Sequence, residues 1–228
     1  MWTTAAPSGR DDGKAPGAPT GGAPGEPLVW YAAYGSNLHA ARFACYLYGG
    51  RPDGGARHCP GCRDPRPPRR EAVLTLPGTL YFAGRSRTWG GAIAFYDPAS
   101  PGRVPCRAYL VTRGQFGDLA AQEMHRCPGT DLDLTRVLAT GRERLGPGRY
   151  ETLLRVGAIG GRPVLTLTSP TGLAGADLSA PTPAYLRTLA AGLAESHHWG
   201  PWRSAGYLAT RPGAAGHWRV GAVAALLT

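Results

Sequence analysis

Apolar side chains larger than Ala are nearly absent from the first 27 residues, which are almost all Ala, Gly, Pro, Ser, Thr and charge, so residues 1–27 read as a disordered leader. Patterning begins at Leu28, where LVWYAAY is a near-continuous apolar run that predicts a buried strand, stopped by Gly35-Ser36-Asn37. Leu38, Phe43 and Leu47 then recur at helical spacing through Tyr48. Residues 49–70 are dense in Gly, Pro and Arg and predict a long surface excursion. Strand-like pieces follow at 72–82, 90–96 and 105–112, separated by Gly and Pro.

Thr112 and Gln115 make a capping-box pair ahead of a helix predicted over 113–126 and closed by Pro128-Gly129. Residues 131–149 are mixed, with a short helix ending at Gly146-Pro147-Gly148. Tyr150 opens a hairpin with strands at 150–159 and 162–169 about a Gly160-Gly161 turn. Thr182-Pro183 supplies a cap and a first-turn proline for a helix to about His197, with Leu186, Leu189 and Leu193 as its stripe. Residues 198–228 hold three of the six Trp and predict ordered wrapping. This order of elements predicts one α+β domain over 28–210, a small mixed or barrel-like sheet with helices outside, and a C-terminal tail at 211–228. No G-x-G-x-x-G opens a helix, which argues against a doubly wound dinucleotide fold.

Composition narrows the classes. The net charge is +10, but the cations are mostly Arg spread along the chain, with no helix-turn-helix, finger or RNA-binding signature beside them. The charge therefore reads as compositional bias, and no specific nucleic acid partner is expected. No apolar run approaches the roughly 20 residues that cross a bilayer, and MWTTAAPSGRDDGK does not read as a secretory signal, so a cytoplasmic protein without membrane partners is expected. The five Cys are an odd number, which argues against a disulfide framework. Cys59-Pro60-Gly61-Cys62, with His58 beside it, has zinc-knuckle spacing but lacks the second close pair of a four-ligand site.

Two segments can carry chemistry. Tyr34-Gly35-Ser36-Asn37-Leu38 lies at a strand-to-helix junction, where backbone N–H groups are unpaired and Gly35 admits close approach; a plain turn capped by Asn37 is the other reading. Phe116, Leu119, Ala120 and Glu123 fall on one helical stripe, which turns an acid inward. Glu123 is then either paired with a cation or a general base tuned toward neutrality by burial. Asp118 and His125 fall off that stripe. Ser86 and Ser204 lack a nucleophile elbow, and the six His show no triad or metal spacing.

Y-G-S-N-L at 34–38 after a strand and the later Gln122-Glu123 pair resemble the gamma-glutamylcyclotransferase-like family. Gly148-Arg149-Tyr150 and Pro181-Thr182-Pro183-Ala184-Tyr185 resemble its G-x-Y and P-x-P-x-Y segments, so the likeness runs over about 28–198. The resemblance implies a small mixed β-barrel flanked by helices. It implies cleavage of a small-molecule gamma-glutamyl amide to 5-oxoproline and a free amine, without metal or organic cofactor. Glu123 would be the catalytic acid–base; Tyr34, Gly35, Ser36, Asn37, Leu38, Tyr150 and Tyr185 would bind substrate. A non-catalytic ligand- or partner-binding module on the same fold is the alternative. The 49–70 insertion and the Trp-rich tail depart from the family pattern. Arg63, Arg66, Arg69 and Arg70 could steer acidic leaving groups, or the insertion is a solvated loop. Trp89-Gly90-Gly91 is an ordinary hairpin or part of the mouth.

Overall fold

The computed structural model describes residues 26–228, so nearly all of the expected leader lies outside the described residues. Strand β1 (Leu28–Ala33) is the centre of a six-stranded sheet of order β2-β5-β1-β8-β7-β6. Its neighbours are β5 (Arg103–Thr112), antiparallel, and β8 (Arg162–Thr168), parallel. β2 (Arg70–Pro77) forms one edge; β7 (Thr152–Ile159) and the three-residue β6 (Arg142–Arg144) complete the other side. β3 (Thr79–Ala83) and β4 (Ile93–Asp97) pair with each other as a separate two-stranded sheet, and Ala83 adds an isolated bridge to Leu178.

A central strand covered on both faces must be apolar at every position, and this is why LVWYAA does not alternate. Val29, Tyr31 and Ala33 face a core shared with α1 (Ala40–Tyr48), α2 (Arg113–Glu123) and α3 (Thr135–Thr140). Trp30, Ala32 and Tyr34 face a second core built with the β3–β4 hairpin and α4 (Pro183–His197). α5 (Pro201–Ala209) and α6 (Val220–Leu227) lie against α4, and Val223 and Ala224 of α6 are buried in that same core. Residues 211–228 thus contribute to the core around which the Trp-rich segment wraps.

The barrel expected from the resemblance is not closed. Closure needs β2 to pair with β6, and these stand at opposite ends of the strand order. The strand expected over 72–82 is two strands, because Gly78 (φ +126°) breaks it where an added Cβ would lie 2.6 Å from the Asp97 carbonyl oxygen. The capping box of α2 forms: Thr112 Oγ1 accepts from the Gln115 amide at 3.0 Å, and Gln115 Oε1 accepts from the Thr112 amide at 3.1 Å. α2 stops at Glu123, three residues early, because His125 takes a left-handed conformation (φ +60°) and the Arg126 amide closes back onto the Ala121 carbonyl.

Residues 36–38 form a single 3-10 turn seated on α4. The contact requires glycine: a Cβ on Gly192 would lie 2.5 Å from the His39 amide nitrogen. Gly192→Ala should lower stability by about 1–3 kcal/mol, the scale of overpacking, in denaturant unfolding. A variant as stable as wild type would mean that the turn can lift off α4 at no cost.

Candidate active site

Two chain ends meet at the site, the exit of β1 and the last turn of α2. Asn37 donates from Nδ2 to Glu123 Oε1 at 2.9 Å and to the Tyr31 hydroxyl at 3.1 Å. The Tyr31 hydroxyl stands 3.5 Å from the same carboxylate oxygen. The turn bearing Asn37 is anchored from β5, where the Tyr109 hydroxyl donates to the Asn37 carbonyl at 2.8 Å and Arg107 to the Leu38 carbonyl at 3.2 Å. α2 is held from outside by the insertion, where Arg63 bonds Asp118 through its amide at 2.8 Å and its Nε at 2.9 Å and the Gly61 amide donates to Gln122 Oε1 at 3.3 Å, and by α1, where the Tyr46 carbonyl accepts from Gln122 at 2.9 Å.

Glu123 is half-buried as a residue, but its carboxylate is surrounded by protein. Burial pushes its carboxyl above the ordinary range; the charge of Arg42 and hydrogen bonds from Tyr46, Asn37 and Tyr31 offset that only in part. Its place on the last turn of α2, at the negative end of the helix dipole, works in the same upward direction. No cation lies within 4.0 Å of the carboxylate among the described residues. Asn37 is 2% exposed, and its Oδ1 has no hydrogen-bond partner. An unpaired acceptor thus stands beside the acid.

A cavity of about 30 Å³ lies here, lined by Tyr34, Gly35, Ser36, Asn37, Glu123 and Tyr150, with Tyr31, Thr166 and Leu167 completing the wall. Two expected residues lie elsewhere. Leu38 is core, 2% exposed, and Tyr185 stands behind the wall, where its hydroxyl lies 3.4 Å from the position of a Cβ on Gly35. The tyrosine hydroxyls expected to meet substrate are committed to backbone: Tyr34 donates to the Leu167 carbonyl and Tyr150 to the Ala94 carbonyl, each at 2.7 Å, and Tyr185 accepts from the Ala94 amide at 3.1 Å. Burial holds the Tyr31, Tyr34 and Tyr150 phenols well above their ordinary pKa, so they remain neutral.

Sequence reasoning missed Tyr31, Tyr46 and Arg42. The signal for Tyr31 was the period of two that puts it with Val29 and Ala33 on the α2 side of β1. Asp118, expected off the inward stripe, is nevertheless buried, because the insertion covers the outer face of α2. Two of the four insertion arginines are held in ion pairs: Arg63 with Asp118 and Asp131, and Arg66 with Asp64 and Glu26. Among the described residues no group of three or more His, Cys, Asp or Glu side chains is placed to hold a metal ion. Trp89 is 7% exposed and packs on Tyr185 with ring centroids 5.3 Å apart.

No family model matches the chain. A curated Arabidopsis thaliana protein, histone deacetylase 5, is 38% identical over 99 residues, which are 42% of this chain and 15% of that protein. The chain therefore spans a small part of the relative it matches. Among solved structures, the uncharacterized human protein loc79017 is 20% identical with a TM-score of 0.44, over 75% of this chain and 81% of that one. A gamma-glutamyl cyclotransferase is 17% identical with a TM-score of 0.44, over 75% of this chain and 80% of that one.

A carboxyl whose folded-state pKa exceeds its ordinary 4.5 keeps a proton that the unfolded chain releases. Glu123 then lowers stability increasingly as pH rises from that value through its folded pKa. Glu123→Gln should unfold at higher urea concentration than wild type near about pH 8, with the gain shrinking toward about pH 4. A pH-independent difference would mean that the carboxylate is not desolvated in the fold.

Proposed function

We propose that this protein is a gamma-glutamyl cyclotransferase, releasing 5-oxoproline and a free amine from a gamma-glutamyl amide. The observation that carries this reading is the Glu123 carboxylate: desolvated, oriented by Asn37, and without an ion-pair partner among the described residues. A salt-bridged Glu123 would have favoured a binding module. Neither a structural carboxylate nor a capping one needs this arrangement, whereas a proton shuttle near neutral pH does.

The chemistry asks one group to carry two protons in turn from the substrate's α-nitrogen to the leaving nitrogen. The substrate's α-amine arrives mostly as an ammonium. Asn37 Oδ1, buried and unpartnered, would accept one of its hydrogens while Glu123 takes the proton. The freed amine attacks the substrate's own side-chain carbonyl; a C–N bond forms within the ring, and the oxyanion faces the Gly35–Asn37 backbone. As the intermediate collapses, the bond to the leaving amine breaks and Glu123 returns its proton to that nitrogen; the second proton, still on the ring nitrogen, then passes through the freed carboxylate to the amine, which departs as an ammonium. Because the nucleophile belongs to the substrate, holding the glutamyl chain bent supplies a large part of the rate. A cavity of about 30 Å³ has room for about one water, so its wall must open to admit a glutamyl group.

Incubation with gamma-glutamyl amides should give 5-oxoproline and amine in equal amounts. Release of glutamate would make the protein a hydrolase, and inertness toward every such amide in a folded protein would return it to a binding role. Glu123→Gln should lower kcat at least ~10²-fold, the lower scale for a general acid–base, with the fold intact by circular dichroism. The acid limb of kcat/KM should lie above the ordinary carboxylate range, as the raised Glu123 pKa requires.

A further inference from the structure

A cavity of about 280 Å³ lies where α4, the start of α5 and the end of α6 meet, and it shares no lining residue with the cavity at Glu123. Arg187, Ala191 and Ala194 fall at i, i+4 and i+7 and so line it from one face of α4. The helical rise sets Arg187 and Ala194 about 10 Å apart, which is the length of the cavity's floor. Toward the Ala194 end stand Trp199, whose amide bonds the Leu193 carbonyl, and Pro201. Toward the other end stand Leu226 and Leu227 of α6, and Arg187 Nε donates to the Leu226 carbonyl at 3.2 Å.

Two polar groups break this apolar lining. Ser204, one turn into α5, is 1% exposed, and its Oγ has no hydrogen-bond partner. A buried hydroxyl without a partner is costly to keep. Ser204 lies on the cavity wall, so a polar group of a bound molecule can complete it. Arg187 is the one charged residue in the lining, which holds no acid. Its guanidinium is exposed, and no carboxylate lies within 4.0 Å of it among the described residues.

The apolar wall between them is preformed. The Trp199 ring is fixed by edge contacts to His197 and Tyr207, with centroids 5.8 and 5.4 Å away, and by the Arg203 guanidinium 4.3 Å from its centre. A rigid aromatic body meets such a wall with little loss of conformational freedom.

We propose that this cavity binds a small aromatic carboxylate with one hydrogen-bonding group on its ring. The carboxylate meets Arg187, the ring lies among Trp199, Leu226 and Leu227, and the ring substituent reaches Ser204 Oγ. A cationic head group would face Arg187 and is disfavoured. The site does not rest on the cyclotransferase reading.

The test is calorimetric titration of the full chain with 3-(4-hydroxyphenyl)propionate, with 3-phenylpropionate, which lacks the ring hydroxyl, and with 3-(4-hydroxyphenyl)propan-1-ol, which lacks the charge. The hydroxylated acid should bind with a Kd of ~0.1–1 mM, the scale for a ligand of this size. It should bind ~5-fold more tightly than the plain acid and ~10-fold more tightly than the alcohol, the scales of a neutral and a charge-assisted hydrogen bond. Ser204→Ala should bring the two acids to equal affinity by weakening only the hydroxylated one. Arg187→Gln should remove the preference for acid over alcohol. Ala194 is exposed, so Ala194→Trp fills the cavity from the helix surface with the fold intact by circular dichroism, and it should abolish binding of all three. That variant decides the matter even if Arg187→Gln loosens α6 through loss of the Leu226 bond. Glu123→Gln should bind the acid as wild type does; weakened binding there would put the ligand in the candidate active site and overturn the proposal. So would absence of binding at ~10 mM ligand, binding that survives Ala194→Trp, or an advantage of the ring hydroxyl that persists in Ser204→Ala.

Discussion

The hydrogen bond from Asn37 Nδ2 to Glu123 Oε1, 2.9 Å long, joins the two halves of the candidate site, and the surrounding packing serves to keep its ends in register. One end rides on a 3-10 turn that β5 pulls down through Tyr109 and Arg107 and that α4 receives at a glycine. The other end is the last residue of a helix capped at its start by Thr112 and gripped along its outer face by the insertion. Each anchor is ordinary by itself. Together they leave the carboxylate few ways to turn, which is what orientation of a proton shuttle requires.

The electrostatics follow from the same enclosure. Burial disfavours the charged carboxylate, and the groups around Glu123 relieve this only in part: Asn37 and Tyr31 offer neutral dipoles, and Arg42 acts from beyond ion-pair distance. The fold thus holds both a reluctant anion and a buried cation without a carboxylate partner among the described residues. Moving either into direct contact with the other would relax both. Sites that keep charges apart in this way give up folding stability for reactivity.

What was legible in the sequence was whatever local rules decide. β1, the 150–169 hairpin, the capping box of α2 and the Thr182-Pro183 start of α4 all announce themselves through apolar runs, Gly-Gly turns and cap residues, and the structure has them there. The inward phase of Glu123 followed from helical period alone. Long-range pairings were not legible. Nothing local says that β2 and β6 stay at opposite edges, nor that the Gly/Pro-rich insertion would lie along α2 and bury Asp118. Arg42 was hidden for a related reason: on a nine-residue helix its phase does not distinguish a buried guanidinium from a solvated one until α4 and the insertion are in place. Of the four insertion arginines singled out in the sequence, Arg63 and Arg66 are held in ion pairs within the chain.

The position of β1 has a consequence for how the chain is made. It is the first strand among the described residues, yet its partners are Arg107–Thr112 on one side and Val164-Leu165 on the other. During synthesis a fully apolar strand emerges with both edges bare and waits, first for β5 and then for β8, before its backbone is satisfied. Such nonlocal pairing is slow and leaves sticky edges exposed. The nascent chain therefore passes through an interval in which its future centre has no strand partner, and both of its edges are covered only once β8 has been made.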